Sequence, residues 1–289
     1  MTTATVTPSK SGKPAKFRRD HKINWWLTAA VAVLSLTILI PLYFTIVTAL
    51  KTPAEAGTFA LPTSWQWHNF ADASAKVNYP KAALNSAIIT VAAVVLTLLT
   101  NTFVAYAVAR NMDKRFFRFL YYFFIAAMFV PFPVVMLPIA KQMGSLHLDN
   151  QVGLIILYTV LGLGTNLFIA TGFIRSIPVS LEEAAAIDGS SFSNTLWRII
   201  LPITKPILVT VAIIQIFSCW NEFSFALVLI KNVSLQTVPL ALTQFKGQFA
   251  SDYPKQMAAM LITMSPIVIL YFAFSKQIIE GMVAGAVKG

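Results

Sequence analysis

Charge is what this chain has least of. Only 11% of its 289 residues are Asp, Glu, Lys or Arg, against about 25% in a soluble globular domain. An ordinary soluble domain is therefore excluded before any motif is read. Cysteine is nearly absent: Cys219 stands alone, so no disulfide can form within the chain. The three histidines, His21, His68 and His147, are scattered, and no H-E-x-x-H pair occurs. No apolar run carries a His, Asp and Glu cluster, which leaves a metal-dependent membrane enzyme without ligands. The chain also lacks G-x-x-x-x-G-K-[ST], so it cannot cradle nucleotide phosphates by the P-loop route.

What is present is apolar, at 57% hydrophobic residues and a mean hydropathy of +0.70. Charge-free runs cover 23–50, 82–109, 119–140, 150–174 and 256–275, and a sixth, 206–230, is interrupted only by Glu222. A membrane-crossing helix needs about 20 such residues. The expectation is an all-α integral membrane protein with six spans, near 25–50, 82–109, 118–140, 152–174, 206–230 and 256–276. The first run is far longer than the core of a cleavable signal peptide and no small-residue cleavage site follows it, so it reads as an uncleaved span.

The net charge of +11 raises the possibility of nucleic-acid binding, but its placement argues for a membrane. With the N-terminus inside, fifteen of the 22 Lys and Arg residues fall on inner segments, the positive-inside signature. Both termini and the 175–205 segment are then cytoplasmic. Residues 1–22 are basic and rich in Thr, Ser and Pro, and a disordered tail against anionic head groups is expected there. Residues 23–289 form the membrane domain. Trp25, Trp26, Trp65 and Trp67 suit membrane interfaces as anchors, although contact with a partner protein also fits Trp65 and Trp67. Pro131, Pro133 and Pro138 bend or break the third span, which could line a pathway or pack as a kinked helix. The outer segment 231–255 is too long for a tight turn, and such loops are often functional.

The most polar stretch, "SLEEAAAIDGSSFSNTLWRIILP", begins at Ser180. Ser180 with Glu183 has capping-box spacing, Ala184, Ala185 and Ala186 are the strongest helix formers, and Gly189 can stop the helix at positive φ. Ser190, Ser191 or Ser193 can cap a second helix. Two short helices hinged at Gly189 are predicted. Glu183 either caps its own helix or faces a partner, and the two roles are compatible.

This stretch resembles the signature loop of permease subunits of ATP-binding-cassette importers: E-A-A, three residues, G, nine residues, I, one residue, L-P. The pattern falls on Glu183, Ala184, Ala185, Gly189, Ile199, Leu201 and Pro202 without a spacing error. Asn85 and Ser86, "AYAVAR" at 105–110, "CWNEF" at 219–223 and the terminal "EGMVAGAVKG" resemble the carbohydrate-uptake, maltose-type branch. The resemblance implies a multi-pass permease of a bacterial or archaeal cytoplasmic membrane, not an enzyme. ATP and magnesium would be handled by partner ATPases, with no cofactor in this chain. Its implied partners are a second, homologous permease, two cytosolic ATPase subunits, and an extracytoplasmic sugar-binding protein, with no nucleic acid. Glu182, Glu183, Ala184, Ala185, Asp188, Gly189, Ile199, Leu201 and Pro202 would couple to the ATPase, with Glu183 meeting a basic residue there. The outer loop, including Gln244, Phe245, Lys246 and Gly247, would touch the binding protein, and the C-terminal tail would reach the ATPases.

Glu222 sits in apolar surroundings, where an acid costs about 2.5–3.5 kcal/mol at a span centre. With Trp220 and Asn221 it is a pathway candidate; a structural acid near the interface is the other reading. An importer of amino acids or peptides, or a secondary transporter, are the remaining alternatives.

Overall fold

The computed structural model describes residues 25–245 and 252–286, and the regular structure among them is helical. The expected disordered tail 1–22, the loop residues Lys246 and Gly247, and the end of the C-terminal tail lie outside the described residues. The chain divides into two compact units, 1–44 and 45–289. The first contains most of α1 (Trp25–Ala49), whose residues 25–43 are all exposed and carry no charge. A helix that is apolar all round belongs in lipid or in a larger protein interior.

In the second unit, the last turn of α1 is tied down by Asn69, whose Nδ2 donates to the carbonyls of Ala49 and Lys51 at 3.0 and 2.9 Å. Asn69 lies on α2 (His68–Lys76). The long α3 (Tyr79–Arg110) follows and packs most extensively on α6 (Gln151–Arg175). Small residues share the buried clusters between them, Ala105 and Ala109 of α3 with Ala170 of α6, and Ala93 of α3 with Leu154 and Leu157 of α6. Such residues let helices approach closely where lipid offers no hydrophobic drive.

Between them in sequence lie α4 (Arg115–Ala127) and α5 (Phe132–Ser145). The third span, expected over 118–140 with its prolines bending or breaking it, is divided in two. Pro131 has no N–H and its ring excludes a helical carbonyl four residues back, so the chain leaves the helix at 128–131. Each half, of 13 and 14 residues, is about 20 Å long, short of the roughly 30 Å hydrocarbon core.

After α6 come α7 (Ser180–Ile187) and α8 (Phe192–Thr195). A π-helical turn, Leu196–Ile200, leads into α9 (Leu201–Asn221). The widened turn sits just before Pro202, whose ring would collide with the Arg198 carbonyl in a regular helix. The expected span 206–230 is thus displaced: the apolar helix runs over Phe192–Asn221 and stops before Glu222. Then α10 (Ser224–Leu229), α11 (Val238–Ala241) and α12 (Tyr253–Ala286) complete the fold. Helix α12 packs on α2 and α9. Five described helices are long and apolar enough to cross a membrane, where six crossings were expected.

Gly164 is required by the α4–α6 contact. A Cβ there would lie 2.6 Å from Met128 Cγ and 2.8 Å from the Phe124 carbonyl oxygen. The methionine can swing aside, whereas the carbonyl cannot. Gly164→Ala should therefore destabilise the protein by about 1–3 kcal/mol, read as a lower Tm of the detergent-solubilised protein.

Candidate functional site

Three clusters of polar residues interrupt the apolar bundle. The first is at α7. This helix ends as the sequence predicts: Gly189 has φ +76°, its N–H donates to Ala186 O at 3.0 Å, and Ser190 N–H donates to Ala185 O at 2.9 Å. That pairing is a Schellman stop, which only a residue tolerant of positive φ allows without strain. The expected capping box is not formed. Val179, not Ser180, occupies the cap position and no side-chain cap bond is made there; the Glu182 and Glu183 amides donate to the Val179 carbonyl at 2.9 and 3.1 Å. With the helix starting one residue early, Ser180 has become its first residue. The second helix is capped by Ser191, whose Oγ accepts from Asn194 N–H at 3.3 Å.

The two adjacent glutamates have different surroundings. Glu183 is exposed, as are Ala184, Asp188 and Gly189, while Ala185 is buried. Glu182 turns inward. Its Oε1 accepts from Arg110 Nε at 2.7 Å, with Arg110 Nη2 at 2.6 Å, and its Oε2 accepts from the Tyr106 hydroxyl at 2.6 Å. Arg110 Nη1 also donates to Ile177 O at 3.2 Å. The two charged side chains are only 12% and 17% exposed. Tyr106 and Arg110 stand on the last turns of α3, so α7 is clamped to that end of the helix. The Phe192 ring lies 5.9 Å from the Tyr106 ring and closes the cluster. Beyond it, Ile200 is buried and Ile199 and Leu201 pack partly buried against the same core, with Pro202 exposed beside the π turn.

The second cluster is the break between α9 and α10. Glu222 is not inside a helix: its backbone is extended. Its carboxylate accepts from Phe225 N–H at 2.8 Å, Ala226 N–H at 3.2 Å and Tyr158 hydroxyl at 2.6 Å. It caps the open N-terminal end of α10, where unsatisfied amides would otherwise face an apolar interior. Trp220 is buried in the core formed by α2, α3, α11 and α12 residues, and Asn221 is exposed, donating to Phe217 O at 2.9 Å. The break thus points its three polar-pathway candidates in different directions. Beside Glu222 a cavity of about 190 Å³ is lined by Tyr158, Gly162, Thr165, Gln215 and Ser218, among others.

The third cluster joins the other end of α3 to the segment before α11. Asn85 Nδ2 donates to Ser234 O and Gln236 O at 3.1 and 3.0 Å, and Ser86 Oγ accepts from Val238 N–H at 2.8 Å. Gln244 Nε2 donates to Gln236 Oε1 at 2.9 Å, whereas Phe245 is buried at 3% exposure. Lys231 Nζ reaches Asp149 Oδ2 at 2.6 Å, and that bond and charge hold the Asp149 carboxyl below the usual range. The pairings of Glu182 and Glu222 escaped sequence reasoning because their partners lie 72 and 64 positions away, beyond any helical periodicity.

Residues 101–282 match the family described as "Binding-protein-dependent transport system inner membrane component". The probable starch degradation products transport system permease protein AmyC of Thermoanaerobacterium thermosulfurigenes is 33% identical over 94% of this chain and 99% of its own length. The multiple sugar-binding transport system permease protein MsmG of Streptococcus mutans is 37% identical over 94% of this chain and 100% of its own. A chain of a crystallised bacterial ABC transporter involved in import of the acidic polysaccharide alginate superposes with a TM-score of 0.75. It is 22% identical, covering 93% of this chain and 99% of that one.

Replacing Glu222 tests the break directly. In Glu222→Gln one oxygen acceptor becomes an NH2 donor facing N–H or O–H donors, so an accepted hydrogen bond is lost at a cost of about 1–3 kcal/mol. Membrane insertion should stay at the wild-type level while sugar uptake by cells falls.

Proposed function

The chain belongs to the binding-protein-dependent transport system inner membrane component family, and from that premise we propose that it is one permease subunit of an ATP-driven sugar or oligosaccharide importer. The relatives named for starch degradation products and for multiple sugars support the cargo class. In this reading a second, related permease supplies the other half of the pathway, two cytosolic ATPases supply the energy, and a binding protein delivers sugar to the 231–255 face.

The observation that carries the coupling mechanism is the clamp between α7 and α3. Glu183 points outward, free to meet a basic residue of the ATPase, while Glu182 holds the helix to Arg110 and Tyr106. Helix α3 is continuous over 32 residues, about 48 Å of stiff rod. Its far end grips the outer loop through Asn85 and Ser86. Closure of the ATPases on ATP would push α7, the clamp would carry that push into α3, and α3 would shift the loop against the binding protein. The α7 end faces the cytoplasm in this scheme, as the distribution of basic residues requires.

The decisive experiment is reconstitution of the chain with its partner subunits in vesicles, measuring sugar uptake and binding-protein-stimulated ATP hydrolysis together. Stimulation by no carbohydrate, with stimulation by amino acids or peptides instead, would overturn the cargo. Gly189→Pro should keep the spans but lose coupling, because proline cannot adopt φ +76° and has no N–H for Ala186. Persistence of coupled transport in that variant would rule out docking at α7. Glu183→Gln should weaken ATPase association. Glu182→Gln should leave association intact yet lower sugar moved per ATP by about tenfold, the usual size of a coupling term.

A further inference from the structure

At the same end of the bundle as α7, a groove of about 840 Å³ lies between α4 and α6. Its mouth carries Arg118, in the first turn of α4, and Arg175, the last residue of α6. Arg118 is aimed by two carbonyls: its Nε donates to Met112 O at 3.2 Å and its Nη2 to Asp113 O at 3.1 Å. These bonds fix the guanidinium without neutralising it, and neither arginine forms an ion pair among the described residues. Behind the mouth the wall changes character, first to Tyr121 and Tyr122 and then to Ile125 and Phe168. Tyr122 and Phe168 are more than half exposed.

We infer that this groove binds the phosphate of an anionic glycerophospholipid, with an acyl chain lying against Ile125 and Phe168. The argument is one of matching chemistry. The Asp113 carboxyl also lines the groove but pairs with neither arginine, so two guanidiniums against one acid leave a positive excess that selects an anion with several acceptor oxygens. Tyrosines suit the head-group level of a bilayer. The apolar wall beyond them suits hydrocarbon. A free phosphate would leave that wall bare to water, and an acidic peptide would place polar backbone against it; only an anionic amphiphile fits both parts. Basic pockets between membrane helices are a recurring form of lipid recognition. The site begins five residues before α7, so an occupied groove would stiffen the root of that helix.

The test uses the intact transporter in detergent and reads lipid retention by native mass spectrometry, with phosphatidylglycerol and phosphatidylcholine of equal chain length. This readout does not involve cargo, so the sugar assignment and the lipid site fail separately. Wild-type protein should retain phosphatidylglycerol over phosphatidylcholine. The Arg118→Gln, Arg175→Gln double variant should lose about thirtyfold in apparent phosphatidylglycerol affinity, two basic contacts' worth. The Lys114→Gln, Arg115→Gln pair, next to the groove but outside its lining, should lose clearly less. Equal losses in both pairs would show diffuse surface attraction and overturn the site, as would wild-type indifference between the two lipids. Loss of the ATPase subunits in place of lipid would assign the groove to a protein contact and overturn it too. Should the glutamine variant fail to assemble, Arg118→Lys with Arg175→Lys decides the matter. Retention of phosphatidylglycerol above phosphatidylcholine supports the site, and loss of that preference without loss of assembly rejects it.

Discussion

The pairing of Glu182 with Arg110 and Tyr106 is the contact on which the α7 end of this protein depends. An eight-residue helix cannot hold itself together in water, because a helix that short has scarcely passed its costly nucleation. It must be held by tertiary contacts. Ala185 and the neighbouring side chains bury little surface, so the apolar contribution is small. The ion pair and the tyrosine hydrogen bond make up the difference and do so with direction. A buried pair is weak evidence for stability as such, since its desolvation offsets much of its attraction. Its value is geometric: separating the partners strands a charge in a poorly solvated place, so α7 and the end of α3 have one favourable arrangement and move together.

The same logic governs the apolar interior. Two of the expected membrane crossings are broken, at 128–131 and at Glu222. Freed backbone groups in such surroundings are costly unless protein satisfies them. At the α9–α10 break the protein does so with a carboxylate whose two oxygens accept three hydrogen bonds. An acid in an apolar run therefore need not be a cargo ligand. Here its carboxyl oxygens accept from three donors, two of them the backbone amides at the start of a helix. The cavity beside it is a consequence of the break as much as a reason for it.

Much of this was legible in the sequence. Apolar run length gave the helical class and the bounds of four long apolar helices to within a few residues, because hydrophobic thickness fixes length. The turn at Gly189 was legible because positive φ has few possible occupants. The capping box was misplaced by one residue: Val179 entered the helical region after Ile177 and Pro178, and a serine one position off cannot reach the amide it would cap. The prolines marked the third run as bent or broken, but the end of the fifth helix at Glu222 was hidden because hydropathy counts side chains and not backbone direction. Whether a proline bends or severs a helix depends on what packs beside it, here Gly164 under Phe124 and Met128. The polar pairings were invisible because they join residues far apart in sequence.

Helical geometry explains why two adjacent glutamates can serve two ends. Neighbouring positions on a helix point about 100° apart. If Glu182 faces α3, Glu183 must face elsewhere, and on a helix at the surface of the bundle that direction is outward. A single acid could not be both buried against Arg110 and exposed to solvent. The pair Glu182–Glu183 divides two directions: one residue anchors the helix to α3, and the other stays exposed. Ala184 and Ala186 keep the exposed face shallow, while Ala185 is buried beneath them and the anchor stays covered.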